Sequence, residues 1–332
     1  MKTTVFYHSA DFDGEFCREI AHRFLPDAEL VGWNFGDPHP AIPEGQIYVM
    51  DLPVDRLFGH DYSRMTSPPK LSDMQLLEAH NRITWIDHHA SSIANHPELR
   101  GYRIDGVAAC RLAWQWFTLS KKSWKEGDGA TPPNPNRGFY TLPTDVQFKN
   151  REVSEPLAVR LAGEYDVWDK RDPRAELFQH GLRSRALGPD TWDILLSGPT
   201  EPEDGKQGLA EIYVDTLLDA GEALQFARAN EYRDVITQQG FDLQFEGLTF
   251  LACNSHECDI RSQLFAAGIQ PHHDALLGFT FTGKDWRVSM YRIDGREADI
   301  LTIARRHGGG GHQGACGFHV PRLINLLPHQ YC

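Results

Sequence analysis

In the stretch HSADFDG, His8, Asp11 and Asp13 fall within six residues, directly after the apolar run TTVFY. Carboxylates this close repel one another, so the cluster needs a cation or a proton to persist. Two more polar clusters end apolar runs: Asp51 after QIYVM, and Asp87, His88 and His89 after RITWI. Asp166 lies near the end of EPLAVRLAGEYDVWD, where Glu164 and Asp169 serve equally well by spacing. His8, Asp11, Asp13, Asp51, His88 and Asp166 thus offer six nitrogen and oxygen ligands. The set suits manganese or another borderline divalent ion and, lacking thiolate, does not suit structural zinc. A carboxylate shared by two ions explains the crowding, and two ions about 3.5–4 Å apart serve a phosphoryl displacement. His89 is then left to face a substrate phosphate, while Asp87 orients a neighbouring imidazole.

Each cluster also has a plainer reading. Asp11 and Asp13 before Gly14 fit a turn and a helix N-cap, and Asp51 alone fits a turn. His272 and His273, with no strand-end acid beside them, fit a solvated loop. Cys253, His256 and Cys258 form half a metal-ligand set with no partner pair, and fit small residues at a strand end. Near the C-terminus, Gly308 to Gly311 precede His312. One glycine suffices to stop a helix, whereas four allow backbone N–H groups to close around an anion such as phosphate, with His312 as a further donor. Arg292, with Ser289 and Tyr291 on the same run, is a lesser candidate for that role.

Three β-branched and aromatic runs in the first 90 residues, TTVFYH, QIYVMD and RITWIDHH, read as buried strands. GEFCREIAHRF and LSDMQLLEAH between them are compatible with helices, so the alternation predicts an α/β domain with a parallel sheet. Ligands of such sheets bind outside the carboxyl ends of the strands, which puts all three polar clusters on one edge. GVAACRLAWQWFTL and the segment before Asp166 have helical spacing, and residues 121–150, rich in Pro, Gly and Asn, predict an irregular insertion. A long helix over 208–239, with a break allowed at Gly221, holds the linker within 201–240. The expected domains are then 1–200 and 241–332. In the second, DLQFEGLTFLACN predicts strands, RSQLFAAG a helix, DALLGFTFTGKDWRVSMYRI a hairpin and EADILTIARRH a helix.

The 332 residues are 41% hydrophobic and carry a net charge of −13. That charge argues against a broad basic surface for long duplex nucleic acid; a short anionic substrate needs only local compensation, which bound ions supply. Cys17, Cys110, Cys253, Cys258, Cys316 and Cys332 lack C-x-x-C pairing, which predicts reduced thiols in a cytoplasm. No charged lead opens onto an apolar core and no apolar run reaches membrane-spanning length, so neither secretion nor membrane insertion is expected.

HSADFDG, Asp51, IDHH at 86–89, AGEYDVWD at 162–169 and GGGGHQGACGF at 308–318, in this order, resemble the DHH phosphoesterases that carry a DHHA1-type C-terminal domain. The wording YHSADFDG, WIDHH and GEYDVWD is most similar to the nanoRNase B branch of short-oligonucleotide exonucleases and cyclic-nucleotide phosphodiesterases. The resemblance implies a parallel-sheet DHH domain, a smaller α/β DHHA1 domain and a dimanganese active site in the cleft between them. It makes His8, Asp11, Asp13, Asp51, His88 and Asp166 the ligands, selecting Asp166 over its acidic neighbours. Asp87, His88 and His89 form the catalytic string, and His89, Arg292, Gly310, Gly311 and His312 hold substrate. The implied reaction is manganese-dependent hydrolysis of short RNA from the 3′ end to nucleoside 5′-monophosphates. Cyclic or linear dinucleotides and 3′-phosphoadenosine 5′-phosphate are the alternative substrates, and a protein that sequesters a nucleotide without cleaving it is the alternative class. The expected partners are a short RNA or a dinucleotide, with no long duplex and no membrane; a homodimer stays open. Glu15, Phe16, Cys17 and Arg18 after Asp13-Gly14 are bulkier than expected beside metals.

Overall fold

The computed structural model describes residues 2–58, 82–97, 99–122, 142–197, 208–254 and 262–327. The chain divides into two compact units, 1–223 and 224–332, and together they make an α/β fold.

In the first unit, β1 (Thr3–His8), β2 (Glu29–Trp33), β3 (Gln46–Met50), β4 (Ile83–Asp87) and β5 (Gly101–Arg103) form a sheet ordered β2-β1-β3-β4-β5. Every pairing in it is parallel. Alternate residues of the central strands enter opposite cores: Val5, Tyr48, Met50 and Ile86 on one face, and Phe6, Ile47, Val49, Ile83 and Trp85 on the other. Burial on both faces is why these runs read as continuously apolar. Helices Phe12–Phe24, Ala109–Lys122, Leu157–Asp166 and Arg174–Arg183 contribute to the first core.

Four expectations meet corrections or limits. LSDMQLLEAH, and residues 123–141 of the expected insertion, lie outside the described residues. The last part of that insertion is regular: Asp145–Lys149 is a helix with a Thr144/Gln147 capping box, fixed because Phe148 is fully buried. Helix Leu209–Gln239 runs unbroken through Gly221, at which the missing side chain admits the Leu177 carbonyl; an added Cβ would lie 1.9 Å from that oxygen. The boundary between the units falls inside this helix. RSQLFAAG yields one 3-10 turn, Ser262–Phe265, because the chain turns at Gly268, whose N–H donates to the Phe265 carbonyl at 2.9 Å.

The second unit holds a mixed sheet, with β6 (Phe241–Phe245), β7 (Leu248–Asn254), β8 (Ala275–Phe281), β9 (Trp286–Arg292), β10 (Gly310–Gly311) and β11 (Ala315–Val320) ordered β10-β11-β9-β8-β7-β6. Among these described strands, only β7 and β8 pair in parallel. Helix Ile300–Arg306 packs Ile300 and Ile303 on one face, and Tyr232 and Ile236 of the long helix pack with Leu251 and Leu276 on the other.

Candidate metal centre

Strand order sets the site. β3 lies between β1 and β4, so Asp51, just past Met50, stands between His8 at the end of β1 and Asp87-His88-His89 at the end of β4. The chain leaves β1 toward β2 on one side and pairs with β3 on the other, the switch point at which parallel sheets gather ligands.

Asp11 caps helix Phe12–Phe24, accepting from the Gly14 N–H at 3.0 Å through Oδ1, while its Oδ2 lies 2.8 Å from His8 Nδ1. The N-cap reading and the cluster reading therefore both hold. Gly14 is required because an added Cβ would lie 1.8 Å from the His8 carbonyl oxygen, so glycine lets the helix start against the end of β1. Asp13 is buried and accepts from the Ala109 and Cys110 N–H groups at 2.9 and 2.7 Å, at the start of helix Ala109–Lys122. Asp51 adopts φ +56°, a left-handed backbone uncommon outside glycine. Its Oδ2 is 3.5 Å from His8 Nδ1 and its Oδ1 is 3.3 Å from His88 Nε2. That same His88 nitrogen lies 3.4 Å from Asp166 Oδ2 and 3.7 Å from Asp13 Oδ2. All six residues singled out for metal thus come together.

Asp87 Oδ1 accepts from His89 Nδ1 at 2.7 Å and from the His88 backbone N–H at 2.8 Å, so it orients the His89 imidazole and fixes the backbone at His88. Because the carboxylate accepts at Nδ1, His89 is left with Nε2 for another partner.

The three acids near Asp166 part company in three dimensions. Glu164 is fully buried between Arg151, at 2.8 Å, and Arg160, at 3.2 Å. Asp169 binds Arg171 at 2.7 Å. Asp166 is the one that reaches His88.

Asn34, in the turn after β2, was not legible as part of this site. Its Oδ1 lies 3.3 Å from His8 Nε2. Accepting there, it leaves His8 Nδ1 facing Asp11 and Asp51, the tautomer a metal ligand needs. An Asn-x-Gly-Asp turn motif after a strand was the available signal, but it marks many ordinary turns.

In the second unit Gly308, at φ +77°, follows helix Ile300–Arg306, and the Gly309 N–H donates to the Ala304 carbonyl at 2.8 Å. Gly310 and Gly311 pair with Gly317 and Cys316. The His312 N–H donates to the Ala315 carbonyl at 2.8 Å, and Arg292 is exposed at the end of β9. The glycine run thus both stops a helix and starts an edge strand. The solvated-loop reading of the second histidine pair fails for His273, which is buried with Nε2 2.8 Å from Asp242 and Nδ1 accepting from the Gln270 N–H. That acceptor role commits His273 Nε2 to a proton, so Asp242 is its partner rather than a metal. His256 and Cys258 lie outside the described residues.

Whether the first cluster fits divalent cations can be tested on its own atoms. Asp51 Oδ2 is buried and accepts no hydrogen bond, the arrangement expected of an oxygen reserved for an ion. Burial, then the neighbouring Asp13 charge, pushes the Asp51 and Asp166 carboxyls well above the usual range. Burial opposes charge on His8, yet its close contact with Asp11 and the nearby Asp51 carboxylate raise it to about 11. Without an ion, the cluster therefore retains protons. Ligands must shed them to bind a cation, so loading should release protons and apparent affinity should rise with pH. Manganese titrations by calorimetry, in two buffers of different ionisation enthalpy, check this: buffer-independent heats would contradict a protonated cation-free site.

No protein-family model matches the chain, and no curated protein sequence matches it. Solved structures do. A pGpG-specific phosphodiesterase, PggH, from Vibrio cholerae is similar at 13% identity over 98% of this chain and 95% of that one, with a TM-score of 0.43. The DHH domain of a member of a family of ribosomal proteins is similar at 11% identity over 98% and 84%, with a TM-score of 0.46. RecJ in complex with Mg2+ from Thermus thermophilus is similar at 14% identity; 98% of this chain aligns with 48% of that one, with a TM-score of 0.44. Likenesses this distant carry no inference about chemistry. Among the described residues, no helix is long and apolar enough to cross a membrane.

Proposed function

We propose that the protein is a metal-dependent phosphodiesterase of the DHH type that hydrolyses short oligoribonucleotides from the 3′ end, releasing nucleoside 5′-monophosphates. The observation that carries this reading is the convergence of His8, Asp11, Asp13, Asp51, His88 and Asp166 around a buried Asp51 oxygen that accepts no hydrogen bond. The motif resemblance supports the same reading. These six residues would hold two divalent ions, with manganese the best match to mixed imidazole and carboxylate donors. When bound, such ions neutralise phosphoryl oxygens and activate water.

The protein's own groups do the rest. Asp51 faces His8 with one carboxylate oxygen and His88 with the other, so it would hold ions from the middle of the set. Asp13 is held by two backbone N–H groups, so its position does not depend on an ion. Asp87 aligns His89, whose Nε2 donates to a substrate phosphate. In the second unit, the motif resemblance would give Gly310, Gly311, His312 and Arg292 a part in holding substrate.

Product analysis tests the reading. Purified protein with manganese is incubated with an RNA dinucleotide, a five-residue RNA, a cyclic dinucleotide and 3′-phosphoadenosine 5′-phosphate, each beside an EDTA control. Stepwise release of monophosphates from both RNAs, abolished by EDTA, is the expected result. Cleavage of a single small nucleotide only would move the function to turnover of that nucleotide. Binding without cleavage would make the protein a sequestering one.

A further inference from the structure

Beside the centre stands an aromatic ring that the six ligands do not explain. Phe35 is 51% exposed, whereas its neighbour Trp33 is 5% exposed. Its ring centroid lies 5.6 Å from that of His8 and 5.5 Å from that of Trp33, both in edge-on geometry. The backbone beneath it is closed by hydrogen bonds. The Phe35 N–H donates to Asn34 Oδ1 at 2.8 Å, the Asn34 N–H donates to Asp37 Oδ2 at 2.8 Å, and the Asp37 N–H donates to the Asn34 carbonyl at 3.0 Å. Gly36, at φ +103°, lets the turn close. Asn34 Oδ1 therefore serves two neighbours at once, His8 Nε2 and the Phe35 N–H. One side chain sets both a candidate metal ligand and the exposed ring beside it.

We propose that Phe35, held by the Asn34 turn, is a stacking platform for a nucleobase at the metal centre. The proposal rests on the reading of the site as one that binds phosphate esters of nucleosides. A scattered exposed phenylalanine needs no explanation. This one is held against His8 by a turn whose central side chain also orders His8. Stacking is tolerant of base identity because every base has a π-face, so the platform selects nucleotides over inorganic phosphates without selecting a sequence. It thus distinguishes the substrate class by its base.

The experiment is calorimetric binding of adenosine 5′-monophosphate and of ribose 5-phosphate to the manganese-loaded full-length protein, with metal affinity measured alongside. The wild type should bind the nucleotide more tightly than the sugar phosphate. Phe35→Ala should weaken nucleotide binding about 5- to 150-fold, the range for loss of one base stack. It should leave ribose 5-phosphate and manganese affinity unchanged, and Phe35→Tyr should restore nucleotide binding. Equal loss for both ligands in Phe35→Ala, or no loss for either, overturns the platform. Equal binding of the two ligands by the wild type also overturns it. RNA dinucleotide hydrolysis on the same samples keeps the two readings apart. Base-dependent binding without hydrolysis removes the phosphodiesterase and keeps the platform, whereas hydrolysis with equal binding does the reverse.

Discussion

Replacing Asp51 by asparagine is expected to lower manganese-dependent hydrolysis of an RNA dinucleotide by about a thousandfold, with the fold intact. The magnitude follows from what a divalent ion contributes to a phosphoryl transition state, several kcal/mol, at a factor of ten for each 1.36 kcal/mol. Asp51 is the position at which the effect concentrates, because its two oxygens face His8 and His88 separately. Asparagine keeps the shape and tolerates the left-handed backbone at φ +56°, so the change removes charge and little else. The sign of the stability effect separates the site from the scaffold. Burial, then Asp13, raises the Asp51 carboxyl above its unfolded value, so ionising it costs stability, which is lost as pH rises from the unfolded pKa toward the raised folded one. Cation-free Asp51→Asn should therefore melt no lower than the wild type, and the stabilisation that manganese confers on the wild type should shrink. Turnover, metal content and melting with and without manganese check the set. Near-normal turnover at full metal occupancy would remove Asp51 from the centre, and a lower melting point of the cation-free variant would assign it to the scaffold instead.

The second large effect is on stability, and it lies behind the site. Arg111 and Glu155 are a buried pair, their side chains 4% and 3% exposed, with Arg111 Nε 3.0 and 3.1 Å from the two carboxylate oxygens. The guanidinium also lies over the Phe148 ring at 5.0 Å. Even so bonded, Glu155 is pushed above the usual carboxylate range, burial outweighing Arg111. Arg111→Ala leaves that carboxylate buried without its partner, at a cost of about 3–5 kcal/mol. For a unit of this size the melting temperature should fall by roughly 6–20 °C. The double variant Arg111→Met, Glu155→Leu, which removes both charges and keeps volume, should recover most of the loss. Thermal melts of the single and double variants test it. A single variant as stable as wild type, or a double variant no better than the single, would show that the pair does not act as described.

These two residues mark different depths of the same structure. Asp51 belongs to the strand-end edge, where His8, Asp11, Asp13, His88 and Asp166 also gather. Arg111 follows directly on the N–H groups of Ala109 and Cys110 that hold Asp13, so it anchors the helix that supports Asp13. Loss of Arg111 should therefore act on the site only through the helix.

The sequence by itself determined the central strands and the clusters at their ends. Buried parallel strands must be apolar on both faces, and a strand's end is the point at which polar residues return, so TTVFYH, QIYVMD and RITWIDHH carry their own positions. It also supplied the Asp87-His88-His89 string, since the three residues are contiguous. Spacing left Glu164, Asp166 and Asp169 open and the motif resemblance chose Asp166; the tertiary structure gives the physical reason, because the three lie within six residues and differ in which partner each meets. Arg151 and Arg160 take Glu164, Arg171 takes Asp169, and His88, from a different strand, is left to Asp166. The same holds for Asn34 with His8, for Arg111 with Glu155 and for His273 with Asp242: each pairing joins residues 26 or more positions apart. Local propensity acts over one or two turns of chain, whereas these bonds exist only after the sheet has brought distant loops to a common edge.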